Sequence, residues 1–242
     1  MITLRRAKER EHDRRRKAEV WRTFPAQDRG SALDSAFGAL EGLNESHLEP
    51  GGRVPGRSRH HAEVITYVRE GTVACEDPAG RSCWIHAGEF QQMTVARGAL
   101  AAGQNASRVE SARVFQVWLQ SSQANLDPSQ EQKRFSVAQR RGVLCVVASP
   151  DGRKGSLRVH QDVLMHSALL EPGVHVVHEL SQGRRAWLHL VQGEAALGDL
   201  VLGTGDGAGV TTDRAVSITA RETTEILLFD VVDRLSDKLT EA

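Results

Sequence analysis

The sequence predicts an all-β protein built from two copies of one barrel unit, and three observations predict it. Short runs rich in Val, Leu, Ile and Thr recur along the 242 residues, many bounded by Gly, Pro, Asp or Asn, which is the strand-and-turn signature. Glycine numbers 22, above the ~7% of ordinary proteins, and it punctuates those runs. The glycines also repeat. Gly51 precedes Arg57 by six residues and Arg57 precedes Gly71 by fourteen; Gly173, Glu179 and Gly193 keep the same steps. Each copy continues to a Gly-acid pair, Gly88-Glu89 and then Gly205-Asp206. Two copies of one β unit imply a duplicated β-barrel.

The strand-like runs, in order, are Glu63–Val68, Val114–Leu119, Gly142–Ala148, Ala186–Val191 and Glu225–Val232. Asp77-Pro78-Ala79-Gly80 is a turn sequence, so Thr72–Cys83 reads as a hairpin. Asp151-Gly152 and Gly205-Asp206-Gly207 read as further turns. Helix signals are short: Glu9–Glu19 with alternating charge signs, Pro128–Arg134 after Asp127, and Asp233–Ala242 at the C-terminus. The Gln- and Ser-rich stretch Ser121–Arg141 separates the halves. This gives one barrel over residues 1–130 and a second over 131–242.

Composition narrows the function. Lys+Arg and Asp+Glu each total 31, for a net charge of zero. Binding a polyanion along the whole chain requires an excess of positive charge to release counterions. Nine basic residues against four acidic ones between Met1 and Arg22 make the one basic segment, with Arg14–Lys17 at its centre. Its interleaved acids and lack of an aromatic platform argue against nucleic acid. No apolar run approaches the ~20 residues that cross a bilayer. The charged N-terminus does not read as a secretory signal. Three cysteines are too few for a disulfide framework. These features together lead to the expectation of a soluble cytoplasmic protein.

Read together, several pieces resemble the pirin family of bicupins. They are Met1-Ile2-Thr3 with Arg5-Arg6-Ala7, Leu43-Asn44-Glu45 before Pro50-Gly51, and Glu63-Val64-Ile65-Thr66-Tyr67-Val68 with Glu70-Gly71. Gly88-Glu89-Phe90-Gln91 with Met93-Thr94, and Arg97-Gly98, follow. Ser149-Pro150-Asp151-Gly152 with Gly155-Ser156, and Ala186-Trp187-Leu188-His189, come from the second half. The resemblance implies two packed cupin barrels with short helices at the linker and C-terminus. It also implies a metal in the first barrel, quercetin 2,3-dioxygenase activity, and roles as a cofactor of transcription factors.

In pirins the metal is held by a His-x-His pair and a His-x-Glu pair. Residues i and i+2 of a strand project to one face, so two such strands converge four donors on one ion such as Fe, Ni or Mn. Carried onto this chain, the four slots are Arg57, Arg59, Ala101 and Gly103. A guanidinium has no lone pair to give, and Ala and Gly have no donor atom. The expectation is therefore a metal-free pirin-like protein with no cofactor, which binds a small molecule or a partner and has a regulatory or stress role. The second barrel offers Glu179 and Ser181, then Ile218 and Ala220, so it supplies no replacement. The alternative is a quercetin 2,3-dioxygenase-type oxidoreductase with a non-standard metal site, for which His61 and Glu63, beside His60, are the nearest donors. By parity with Arg57 and Arg59 they would face inward.

Other residues have more modest expectations. Arg57 and Arg59 could receive a small anion, or pair with Glu63, Glu70 or Glu89. Cys75 and Cys83, expected across a hairpin with an offset of about one residue, form a candidate redox pair with Arg81 nearby to favour a thiolate. Cys145 reads as core. His175 and His178 fall on opposite strand faces, His12 in solvent, and His189 as a half-buried strand residue. Trp21, Trp84, Trp118 and Trp187 read as barrel packing.

Overall fold

The computed structural model describes residues 1–24, 37–54, 62–77, 79–95, 103–120 and 126–232. It contains two barrels, each made of a seven-stranded and a four-stranded sheet. In the first, the larger sheet runs Ser129–Arg134, Glu89–Val95, Ala62–Glu70, Ala112–Gln120, Leu40–Leu48, Ala18–Arg22 and Glu11–Arg15. The smaller runs Arg53–Val54, Gly103–Asn105, Thr72–Glu76 and Ser82–His86. In the second, the larger sheet runs Ile2–Arg5, Gly207–Val210, Arg184–Gln192, Thr224–Val232, Val163–Leu170, Cys145–Ser149 and Leu157–Arg158. Its smaller sheet runs His175–Glu179, Ala215–Ala220, Glu194–Leu197 and Leu200–Gly203.

The all-β expectation holds, and the repeat has a structural cause. Gly51, Gly71, Gly88, Gly173, Gly193 and Gly205 all have positive φ, from 71° to 91°, the left-handed region that side chains disfavour. Each barrel therefore turns at matching points. The hairpin after Glu76 closes as the turn sequence predicts: Gly80 N donates to Asp77 O at 2.9 Å, and the Asp77 carboxylate caps the backbone N–H groups of Ala79 and Arg81.

Strand alternation sorts side chains between two destinations. On Ala62–Glu70, Ile65 and Tyr67 join the core shared between the barrels, while Val64 and Val68 face the first barrel's interior. On Arg184–Gln192, Trp187 and Val191 join the shared core, while Ala186, Leu188 and Leu190 fill the second barrel. The shared core packs Phe24, Phe37, Phe90 and Phe115 against Met165, Trp187, Leu227 and Phe229. Burying each such side chain contributes about 1.5–3 kcal/mol, so this interface holds the barrels together. Trp187 rests directly on Gly207, where an added Cβ would lie 2.3 Å from the indole.

Two helix expectations are corrected. Pro128–Arg134 contains the strand Ser129–Arg134, which pairs with Glu89–Val95. Tertiary backbone pairing overrides its polar composition, and Gln132 Nε2 ties it further to Trp84 O and Glu89. A one-turn helix, Val137–Arg140, follows in the linker, started by a Ser136/Gln139 capping box. Glu9–Glu19 is not a helix but a 3-10 turn at Ala7–Glu9 leading into the hairpin Glu11–Arg15/Ala18–Arg22. Its alternating charges are cross-strand partners, with Glu11 opposite Arg22 and Arg14 opposite Glu19. Asp233–Ala242 lies outside the described residues. Ile2–Arg5, expected with the first barrel, is bonded to Gly207–Val210 of the second. Ser129–Arg134 straddles the boundary expected between residues 130 and 131. Among the described residues, no helix is long and apolar enough to cross a membrane.

Candidate functional site

The first barrel encloses a cavity of about 20 Å³ lined by Val54, Val64, Thr66, Val73, Cys75, Ile85, Gln91, Met93, Gly103 and Gln116, room for about one water. Its described lining contains no imidazole and no carboxylate. Of the four slots carried over from pirins, Gly103 is described and forms part of the wall. A Cβ there would lie 2.6 Å from Val73 Cγ1, so Val73 occupies the space that a side chain would enter. Arg57, Arg59 and Ala101 lie outside the described residues, as do His60 and His61. Among the described residues, no group of three or more His, Cys, Asp or Glu is placed to hold a metal ion.

Glu63 does not face this cavity, contrary to the parity argument. It points toward the second barrel and is completely buried. Its carboxylate accepts from His160 N at 2.9 Å, pairs with His160 Nδ1 at 2.9 Å, and accepts from Gln92 Nε2 at 3.0 Å. Glu70 pairs with Arg69, and Glu89 with Arg134, Gln132 and the His86 N–H.

Cys75 and Cys83 are directly opposite in the ladder, not offset, and are joined as a disulfide. The Gln91 amide lies 3.6 Å from Cys75 Sγ and 3.7 Å from Cys83 Sγ. Arg81 does not serve these sulfurs, because its guanidinium is bonded to Asp77 at the turn. Cys145 is a half-buried free thiol, and burial pushes it above the usual range.

The second barrel's interior is apolar. Val176, Ile218, Ala220 and Leu228 are among the residues that fill it, and Glu179 stands exposed at a strand end. His175 bonds Ser217, whereas His178 bonds Asp230 and packs on His166. His189 is fully buried between the barrels, not half-buried as expected, and neither ring nitrogen has a hydrogen-bond partner. Burial, then the Arg10 charge, lowers it to about 3. Trp84 is 54% exposed, which departs from the packing role expected of it. Trp21 stacks on His12, and Trp118 and Trp187 are fully buried. The basic segment is largely neutralised locally: Arg10 pairs with Glu45, Arg14 with Glu19, Arg15 with Asp13, and Lys17 bonds Pro50 O.

Sequence reasoning missed a buried polar cluster at the junction of the barrels. Glu225 accepts from Tyr67 Oη at 2.5 Å, Arg69 Nε at 2.9 Å and Arg140 Nη1 at 3.1 Å. Burial and the Glu225 carboxylate hold the Tyr67 phenol protonated far above its usual range. Ser136-x-x-Gln139, a capping-box spacing, is the signal in the sequence that could have located the helix carrying Arg140.

Comparison with known proteins agrees with this architecture. The family described as Pirin matches residues 5–119, and the family described as Quercetinase C-terminal cupin domain matches residues 146–231. The quercetin 2,3-dioxygenase of Escherichia coli strain K12 is 33% identical, over 96% of this chain and 99% of its own. A pirin-like protein of Caulobacter vibrioides is 29% identical over 80% of this chain and 84% of its own. The crystal structure of the bacterial pirin YhhW from Escherichia coli in complex with nickel(II) superposes with a TM-score of 0.86 at 33% identity, covering 96% of this chain and 99% of that one. With its two barrels, the repeat that builds them and these relatives in agreement, the chain belongs to the pirin family of bicupins.

Proposed function

We propose that this chain is a pirin-like bicupin that does not hold the family metal and acts in the cytoplasm by binding a small molecule or a protein partner rather than by dioxygenation. The observation that carries this reading is the content of the four family slots: Arg57, Arg59, Ala101 and Gly103. The described cavity lining supports it. Thr66, Gln91, Gln116 and Met93 are a poor donor set for Fe, Ni or Mn, which favour imidazole and carboxylate. Val73 stands against any side chain at position 103. These residues do not fit such a metal.

The Arg57 and Arg59 pair suits a small carboxylate, phosphate or sulfate, because forked guanidinium donors match those anions. A thermal-shift screen of wild type and Arg57→Ala against small anions tests this. A shift confined to wild type supports the reading, and no shift with any anion removes it. A regulatory role follows by analogy with the family alone.

The second reading is a quercetin 2,3-dioxygenase-type oxidoreductase using a non-standard site, favoured by the name of the 33% identical relative. Its nearest donors are His61 and Glu63, and the latter is already committed to His160 and Gln92. Oxygen consumption with quercetin, after supplying Fe(II), Ni(II) or Mn(II) in turn, separates the two. Sustained turnover with any of these metals supports the oxidoreductase and rejects the binding reading.

A further inference from the structure

The first barrel has a reactive group in its wall that the proposed binding role does not use. Cys75 lies opposite Cys83 on one side and opposite Gly103, the fourth family slot, on the other. It lines the cavity. Cys75 and Cys83 are both half-buried rather than sealed in the core. The buried Gln91 places its amide within reach of both sulfurs and also bonds Gln132 at 3.3 Å.

We propose that Cys75 and Cys83 are a reversible redox pair, with Gln91 as the positioning residue that favours thiolate in the reduced state. The hairpin does not need a covalent staple. Its turn is closed by Asp77, and its ladder runs from Thr72 opposite His86 to Glu76 opposite Ser82. The cross-link also closes a short loop, at a sequence separation of 8, so it saves less chain entropy than a long-range cross-link would. Its distinguishing property is chemical: a half-buried disulfide, beside an amide donor, in the wall of a cavity.

The chemistry balances with a dithiol as reductant. One thiolate of the dithiol attacks a cysteine sulfur, the S–S bond breaks, and the other cysteine leaves as thiolate and takes a proton. The dithiol's second thiolate then attacks the mixed disulfide, releasing the second cysteine and closing the dithiol into its own disulfide. Two electrons and two protons enter the protein. In the reverse direction with hydrogen peroxide, one thiolate takes an oxygen to become sulfenic acid with loss of water. The second thiolate displaces that oxygen as a second water. This cycle goes beyond the binding role and is independent of whether the first barrel holds a metal.

The test uses the full folded chain in buffers of reduced and oxidised dithiothreitol, with acid quench, alkylation under denaturing conditions and mass analysis. Circular dichroism reports the fold. Reduction is expected to raise the alkylated thiols from one, Cys145, to three, reversibly and with the spectrum unchanged. Cys75→Ser is expected to abolish the two-thiol step. Three thiols that persist in excess oxidant overturn the proposal, as does a pair that yields to dithiothreitol only when the barrel unfolds. In the reduced protein, Gln91→Leu is expected to slow native-state alkylation of the pair about tenfold at neutral pH, because the thiolate is the reactive form. An unchanged pH profile of alkylation overturns the role given to Gln91.

Discussion

Replacing Glu225 with Gln keeps the shape of the junction cluster and removes one charge. Arg140, whose side chain is only 5% exposed, then loses its carboxylate partner and retains Tyr67 Oη and Ser167 Oγ as hydrogen-bond partners. Breaking one side of a buried ion pair costs about 3–5 kcal/mol. The Arg69 bond adds less, since that pair reaches solvent and Arg69 also pairs with Glu70. At about 1.4 kcal/mol per tenfold, the folding constant drops by roughly 140- to 4,000-fold. For a chain of this length that corresponds to a Tm lower by roughly 6–20 °C. Because Tyr67 comes from the first barrel, Arg140 from the linker helix and Glu225 from the second barrel, the loss falls on the junction. Urea unfolding followed by tryptophan fluorescence and far-ultraviolet circular dichroism measures it. Adding Arg140→Met to Glu225→Gln removes the stranded charge, so the double variant is expected to lose less than the sum of the singles. A Glu225→Gln cost below about 1 kcal/mol, the range of exposed pairs, refutes the cluster's role, and so does strict additivity.

Gly103→Ala forces a methyl against Val73 and is expected to cost about 1–3 kcal/mol by overpacking; adding Val73→Ala is expected to recover part of it in a double-mutant cycle, and independent effects would contradict the contact. Cys75→Ser is expected to lower stability in non-reducing buffer by about 2–3 kcal/mol, from the loop closed at a separation of 8, with no difference from wild type under dithiothreitol. Stability is also expected to fall with acid. Burial and the neighbouring His178 lower His166 to about 4, with Asp230 opposing and Lys154 assisting; His189, faced by Arg10, Glu45, Asp206 and Arg113, is lowered to about 3. The unfolded chain protonates both below about pH 6.5 while the folded chain does not. Stability is therefore full above that pH and is lost as pH falls toward 4, by up to about 1.4 kcal/mol per unit for each histidine. Urea midpoints between about pH 7 and 5 test this, and His189→Leu is expected to flatten the slope; a wild-type midpoint that does not move refutes it.

The barrels were legible because turn geometry is local. Gly51, Gly71, Gly173 and Gly193 each satisfy a positive φ with no help from distant residues, so their spacing survives in the sequence. The Thr72–Cys83 hairpin was legible for the same reason. Parity failed where it was carried across a break. Arg53–Val54 belongs to the four-stranded sheet and Ala62–Glu70 to the seven-stranded one, so counting from Arg57 says nothing about which way Glu63 points. The charged hairpin was misread because alternation of sign suits paired strands as well as a helix. The contacts that define the junction, Glu63 with His160 and Tyr67 with Glu225, join residues 97 and 158 apart, beyond the reach of any local pattern. The proposed loss of donors at the family slots rests on the resemblance, because no periodicity marks where a ligand would stand.

The proposed function requires a first barrel that does not grip an ion. Elemental analysis of the purified chain, after incubation with Fe(II), Ni(II) or Mn(II) and dialysis against a chelator, tests it most directly. Metal far below stoichiometric is expected for all three. One tightly retained iron, nickel or manganese ion per chain would contradict it.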